Sequence, residues 1–380
     1  MDTPEDDQVM SLSKETSATS SHPQSEQPAW MSDPLYEFGW KPFPKQPLPH
    51  AVRREIFDES ECGPTITFSD PYNVFVYIWD KDIMEKIALE TNKYAQEVAE
   101  KMIHENCLLP SSRICEWKDT TPDELYVYFG ILLAMGVVVK SRRLGIISHL
   151  NKKFQDMYKM GQNIALDESL LHIQQSKLNK TAMVGVKSYE ICDCQTGFLW
   201  RFDVRTKKTG YQPSNQDPLT AAIPALILRL IQGLENKGHT LWMDSFYNSP
   251  LLARQLKQKG VDCVGTLRTN RPFVPLELTN LKKHQMVAGQ VAGVTSGDVD
   301  LIVWRGQNRV ATISTYHGNF ITTGEDGERK PLLIRDYNTM MGVLDKKDKK
   351  LSAYPIERDR TQVWYKKLFL RLINVSALNA

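Results

Sequence analysis

The sequence predicts a mixed α/β protein: a helical first third leads into a mixed sheet with a parallel pair. Three observations carry this reading. From Ser69 onward, SDPYNVFVYIWDKDIMEKIALETNKYAQEVAEKM places apolar residues at helical spacing. QNIALDESLL and GVKSYEICDCQTGFLWRFDVRT have the composition of strands. GHTLWMDSFYNSP, LLARQLKQKG and VDCVGTLRT then read as strand, helix and strand. Such a β-α-β unit favours a parallel pair, because two parallel strands need a long crossover between them.

The elements follow in order. Residues 1–30 are rich in Ser, Thr, Gln, Glu and Pro and hold few aliphatics, so they cannot bury enough surface to fold. Residues 31–66 are Pro-rich with scattered aromatics, so the stretch 1–66 reads as a disordered or extended arm. Asp70-Pro71 marks a turn, and Thr121-Pro122-Asp123-Glu124 suits a cap and first helical turn. HLNKKFQDMYKM is a further helix. Cys194-Gln195-Thr196-Gly197 predicts a hairpin turn. PLTAAIPALILRLIQGL is a helix closed by Gly233, and Gly260 closes the next one. QVAGVTSGDVDLIVWRG and NRVATISTYHG are short β-like pieces, and TQVWYKKLFLRLINVSALNA is an amphipathic helix.

A chain of 380 residues implies two or three domains, or one large domain with insertions. Its 41% hydrophobic and 24% charged residues are those of a folding chain. The net charge of +2 hides an asymmetry: residues 1–40 are acidic and residues 341–380 basic. Local basic charge is what a polyanionic partner meets. Cys62, Cys107, Cys115, Cys192, Cys194 and Cys263 form no C-x-x-C pair, so neither a zinc module nor a disulfide scaffold is expected. No apolar run reaches the ~18 residues of a membrane span, and the acidic start excludes a secretory signal.

Three acids each follow an apolar stretch: Asp167 after Ile164-Ala165-Leu166, Asp244 after Leu241-Trp242-Met243, and Asp345 after Val343-Leu344. Asp348 lies one helical turn later. Carboxylates at strand ends meet on one side of a sheet, where they can hold two divalent cations about 3.5–4 Å apart for phosphoryl transfer. Mg²⁺ suits such a set, since it takes few protein carboxylates besides water and phosphate. The plainer reading of the same residues is solvated strand-end carboxylates. Lys346, Lys347, Lys349 and Lys350 surround Asp345 and Asp348 in DKKDKK; they could neutralise a nucleic-acid backbone or form an ordinary solvated run. His239 and His317 could act as bases, though single histidines are more often structural. Cys192 and Cys194 could touch a metal, though burial suits them better. Gly210-Tyr211 is a turn, since no phosphate-loop motif exists.

The blocks ALDESLL, NKTAMVGVKSYEICDCQTGFLWRFDVRTKKTG, GHTLWMDSFYNSPLLARQLKQKGVDCVGTLRTNR and DYNTMMGVLDKKDKKLSAYPIERDRTQVWYKKLFLRLINVSALNA together resemble the piggyBac transposase family. The likeness covers residues 69–380 and is strongest from 164 onward. It implies a ribonuclease-H-like catalytic domain with an Asp-Asp-Asp metal set. Leu166-Asp167-Glu168 matches the first motif and Asp244 to Pro250 the second. Tyr337-Asn338, Met341, Gly342, Asp345 and Asp348 match the third. The resemblance implies Asp167, Asp244 and Asp345 as metal ligands, with Asp348 also catalytic, and Mg²⁺ or Mn²⁺ as the ion. The implied reaction is nicking at a transposon end, hairpin formation on the opposite strand, and joining to a TTAA target.

The resemblance also divides the chain. It implies a helical dimerisation and DNA-binding domain over 67–163, joined by the C-terminal helix at 355–380. It implies a catalytic domain over 164–270 and 332–354, and a β-rich insertion over 271–331. Trp364 resembles a family tryptophan near the DNA, and equally suits an anchor for the last helix. Lys346, Lys347, Lys349, Lys350, Arg358, Arg360 and Trp364 are the implied DNA contacts.

Three departures stand out. The helical region between Val139 and Asn151 is shorter than in the family. Val343 replaces the second Gly of its G-G-V-D motif and could change the turn that presents Asp345. No cysteine-rich module follows the last helix. These departures imply domestication, an internal deletion or a partial gene product. Two functions follow as expectations: metal-dependent cleavage and transfer of DNA strands, or non-catalytic DNA and chromatin binding on the retained fold. Either implies double-stranded DNA as partner, the nucleus as location, and a possible homodimer.

Overall fold

The computed structural model of the protein describes residues 32–44, 53–109, 112–135, 143–175, 183–205, 218–323, 329–353 and 364–380. The first third is helical. Asp70 caps α1 (Pro71–Ile78) by accepting from the Asn73 amide at 2.9 Å, with Pro71 in the first turn where its missing N–H costs nothing. Asp80 likewise caps α2 (Lys81–His104) through the Ile83 amide at 3.1 Å. The expected Thr121 cap opens α3 (Pro122–Met135) as a reciprocal box. Thr121 Oγ1 accepts from the Glu124 amide, and the Glu124 carboxylate accepts from the Thr121 amide. α4 (Arg143–Met157) completes the group.

A nine-stranded sheet follows. In chain order its strands are β1 (Lys41–Pro42), β4 (Asn163–Gln175), β5 (Met183–Asp193), β6 (Leu199–Arg205), β7 (Thr240–Met243), β8 (Asp262–Thr266), β9 (Val291–Thr295), β10 (Asp300–Arg305) and β11 (Arg309–Ser314). Across the sheet they run β1-β9-β10-β11-β8-β7-β4-β5-β6. Short ladders pair β2 (Gly63–Pro64) with β3 (Tyr158–Lys159), and β12 (Ile321–Thr323) with β13 (Arg329–Pro331). β4, β5 and β6 form an antiparallel meander, while β7 and β8 run parallel to β4. The five-strand core β6-β5-β4-β7-β8 is the ribonuclease-H-like order. The β7–β8 crossover is α6 (Pro250–Gln258), as the β-α-β reading required, and the hairpin turn after β5 is built by Asp193, whose carboxylate accepts from the Gln195 and Thr196 amides. Within 271–331, β9, β10 and β11 continue the main sheet from β8, while β12 and β13 form their own two-stranded ladder.

Strand alternation divides the core. Ala165, Cys192, Trp242, Val264 and Ile302 face one side, where they join a cluster with α1–α4, α8 (Leu332–Ala353) and α9 (Trp364–Asn379). Ile164, Leu166, Ile191, Leu241 and Cys263 face the other, against α5 (Ala222–Leu230), α6 and α7 (Leu276–Asn280).

Residues 32–44 and 53–64 of the expected arm are packed onto this body; residues 1–31 lie outside the described set. Arg254 of α6 donates to the carbonyls of Leu35 and Glu37, and its guanidinium lies 3.7 Å from the Phe38 ring centroid. Arg54 donates to Asn163 and Thr240, and the Glu55 amide to Asp262. These acceptors begin β4, β7 and β8, so the arm braces the N-terminal ends of the parallel strands. Among the described residues no helix is long and apolar enough to cross a membrane.

Candidate active site

Asp167 and Asp244 sit on neighbouring parallel strands. In the β4–β7 ladder Leu166 is level with Met243, so each aspartate is the next residue beyond the last registered pair. Adjacent strands are about 4.8 Å apart, which brings the two backbones side by side. Alternation gives both aspartates the parity of Ala165 and Trp242, toward the face covered by α8. Both are half-buried. The Asp244 carboxylate accepts from the Phe246 amide at 2.8 Å, which closes the turn after β7. The Asn248 amide group holds that turn to the sheet by donating to the carbonyls of Met243 and Thr266.

Tyr337 of α8 packs on the core face of the sheet that the two aspartates share. Burial raises its hydroxyl pKa, and the charges of Asp244 and Asp167 raise it further. Tyr247 is pushed up in the same way, by burial first and then by Glu168, Asp167 and Asp244. The Tyr247 hydroxyl donates to Glu168 at 3.0 Å.

Asp345 is not at a strand end. It lies inside α8, which runs unbroken from Leu332 to Ala353. Its neighbours Leu333, Ile334, Tyr337, Met341 and Leu351 recur at helical spacing and pack on the sheet. Val343 therefore changes no presenting turn: the backbone is helical there, and Gly342 needs no left-handed conformation. α8 crosses β4, β7 and β8, the strands that carry or border the other two acids. Asp348 lies one turn farther along α8. The side chains of Asp345, Asp348 and Lys346 lie outside the described set, as do residues Arg358 and Arg360 and the side chain of Trp364, which opens α9. Among the described residues no group of three His, Cys, Asp or Glu could hold a metal.

Lys347 is placed differently from the expected DNA contact. It is 5% exposed, and its ammonium donates to Glu190 at 2.5 Å and touches Cys192 Sγ at 3.7 Å. Its helical position points it into the sheet, where Glu190 is the register partner of Asp167. Burial alone would raise the Glu190 carboxyl, but the charges of Lys347 and Arg371 hold it below its ordinary pKa. Lys349 and Lys350, in contrast, are exposed.

Neither histidine is placed as a base. His239 is buried, with Nδ1 2.9 Å from the Gly161 carbonyl, and burial lowers its pKa. His317 bridges Ser314 and Asp336 at 1% exposure. Cys192 and Cys194 are buried free thiols, and burial raises the Cys194 pKa.

Three basic side chains near Asp244 were missed by the motif reading. Lys187 on β5 pairs with Glu168 at 2.6 Å. Arg271 donates to the Phe246 carbonyl at 2.5 Å, and Arg268 is exposed beside the same turn. The available signal was TLRTNR, which puts two arginines just past the strand that neighbours Asp244.

The comparisons agree with this architecture. A family model described as Transposase IS4 matches residues 70–146 and 144–380. The structure is similar to that of a piggyBac transposase synaptic complex with hairpin DNA, with a TM-score of 0.67 at 19% identity. The likeness covers 84% of this chain and 76% of that one. The expected ribonuclease-H-like α/β class and the expected family are thereby borne out. The chain belongs to the Transposase IS4 family of DDE-type transposases and has the piggyBac transposase fold.

Proposed function

We propose that the chain cleaves and transfers DNA strands with divalent metal, using Asp167, Asp244 and Asp345 as ligands and Asp348 beside them. The observation that carries this reading is the adjacency of Asp167 and Asp244 on parallel strands beneath the helix that bears Asp345. The donor type suits Mg²⁺ or Mn²⁺, because these ions take hard carboxylate oxygens together with water and phosphate. When bound, such ions supply Lewis-acid stabilisation of the attacking and leaving oxygens.

In the proposed nicking step a water oxygen attacks phosphorus and the P–O3′ bond breaks. The strand is left with a 3′-hydroxyl and a 5′-phosphate, and the proton passes to solvent. The chain's own part is positional and electrostatic. Asn248 and the Phe246 amide fix the Asp244 turn. Lys187, Arg268 and Arg271 offset phosphate charge around it. Exposed Lys349 and Lys350 extend the basic surface along α8. A DNA substrate implies the nucleus as the place of action.

The test is nicking of duplex DNA in Mg²⁺ or Mn²⁺ by the parent chain and by Asp244→Ala. Loss of a ligand should lower the rate by at least ~10²-fold; equal nicking by both would reject the assignment.

A second reading, non-catalytic DNA binding on the retained fold, is favoured by one observation. The two matched stretches of the family model meet at 144–146, inside the span where the helical region reads as shortened. Such a domesticated protein would bind DNA in a salt-dependent way and show no metal-dependent cleavage.

A further inference from the structure

One buried imidazole touches both the strand that leads to Asp244 and the helix that bears Asp345. His317 follows β11 in a loop held at three points. The Thr315 amide donates to the Cys263 carbonyl at 3.0 Å, the Thr315 hydroxyl to Asp262 at 2.6 Å, and the Gly318 amide to Asp300 at 2.9 Å. The His317 ring stacks on Tyr316 with centroids 4.1 Å apart and meets Trp242 of β7 edge to face at 6.1 Å. Trp242 stands two residues before Asp244, so the two share a face of the chain. Ser314 fixes the imidazole tautomer. Its oxygen accepts from the Tyr316 and His317 amides, both at 3.1 Å, which fills its two lone pairs. Its proton therefore goes to His317 Nδ1 at 2.8 Å, and Nε2 carries the hydrogen donated to Asp336 of α8 at 3.1 Å.

Asp336 and Lys347 lie on one flank of α8, since the 11 residues from 336 to 347 make three turns and about 20° at about 100° each. The His317–Asp336 and Lys347–Glu190 bridges are thus two pins roughly 16 Å apart along the helix. Such pins oppose sliding or rolling of α8 on the sheet, and either motion would carry Asp345 with it. We propose that His317 is a positioning residue: its bridge to Asp336 seats α8, and with it Asp345, above the strands of Asp167 and Asp244. The inference rests on the DNA-cleavage reading for the reaction it serves.

The Asp336 side chain is 38% exposed, whereas His317 is 1% exposed. Water can therefore take the imidazole hydrogen when the carboxylate is removed, so Asp336→Ala should fold and lose only the tie. Asp336→Asn keeps an oxygen acceptor. His317→Phe keeps the ring contacts and loses both polar ones. The full-length variants are compared with the parent by hydrogen exchange without metal, and by nicking of duplex DNA in Mn²⁺. In Asp336→Ala the α8 amides should exchange about tenfold faster, with β7 and β8 unchanged. The nicking rate at saturating DNA should fall ~10–10²-fold and the half-saturating DNA concentration stay within about twofold, as for a misplaced reacting group. Asp336→Asn should restore both readouts. His317→Phe should match Asp336→Ala, and the double variant should add nothing further. Parent-like α8 exchange in Asp336→Ala would overturn the seating. Faster exchange with a parent-like nicking rate would overturn the positioning role. A parent chain that never nicks DNA, with α8 exchange raised in Asp336→Ala and restored in Asp336→Asn, would sink the cleavage reading and leave the seating of α8 standing.

Discussion

At the scale of single residues, charge has been spent where a motif reading would not place it. Lys347 sits in a run that looks solvated, yet its ammonium meets Glu190 deep against the sheet. The pair lies between the registered neighbour of Asp167 and the helix that bears Asp345, so it fixes how α8 sits on β4 and β5. Removing Lys347 takes away the charge in direct contact with Glu190 and leaves the buried carboxylate with only Ser188 and the Arg371 charge to offset it. Lys347→Ala should cost ~3–5 kcal/mol in chemical denaturation. Replacing both at once, with Glu190→Met and Lys347→Leu, should cost far less, since no charge is left stranded. A double variant as unstable as the single one would refute this account. The pair also sets a pH dependence. The Glu190 pKa is depressed in the fold, so its contribution is present above the unfolded carboxylate pKa of about 4.3 and is lost as pH falls through the lower folded value. Acid titration of stability should therefore be shallower in the Glu190→Gln variant than in the parent.

At the scale of elements, the close approach of β7 and β8 is the feature on which the Asp244 turn rests. A Cβ on Gly265 would come 1.8 Å from the Met243 carbonyl oxygen and 2.4 Å from the Asn248 side-chain nitrogen. Gly265→Ala must therefore push the strands apart at the point where Asn248 holds the turn. We expect a loss of roughly 1–3 kcal/mol, as for other overpacked sites. The same change should weaken nicking more than it weakens binding of duplex DNA, and equal effects on both would count against a positional role. β7 and β8 were legible in the sequence because they are short apolar runs bounded by turn residues, and β4 because it opens on the apolar stretch Ile164-Ala165-Leu166. The helix cap at Thr121 was legible because it is local chemistry, whereas Asp70, read as a turn, proves to be a cap. Asp345 was misplaced at a strand end because Val343-Leu344 is apolar in either conformation; only the longer period from Leu333 to Leu351 reveals the helix. The packed arm was illegible because its partners are remote. Arg254 reaches Leu35 and Glu37 across more than two hundred residues, and no local pattern encodes that contact. Lys187 was passed over for the same reason: its place beside Asp244 depends on a ladder, not on a motif.

At the scale of the whole molecule, the helices and the sheet share one core. Trp79 of the α1–α2 junction, Phe129 of α3 and Phe369 of α9 meet edge to face, with centroids 5.1 to 5.8 Å apart. The same cluster continues through Phe154 and Phe202 to the sheet. α9 is tied to the strands by polar contacts as well. Arg371 donates to Ser169, two residues beyond Asp167, and the Asn379 side chain accepts from the Leu199 amide and donates to its carbonyl. A helical unit joined in this way has no separate interior to lose. It should unfold together with the sheet, in one transition seen alike by tryptophan fluorescence and far-ultraviolet circular dichroism. Phe369→Ala opens the aromatic cluster at its centre and should cost ~3–5 kcal/mol. If the core is continuous, both signals shift by the same amount in that variant. A variant in which the helical signal melts first, with the strands intact, would show two independent bodies. The position of Asp345 over the sheet would then depend on a hinge between them, and α8 could not by itself hold the third carboxylate in place.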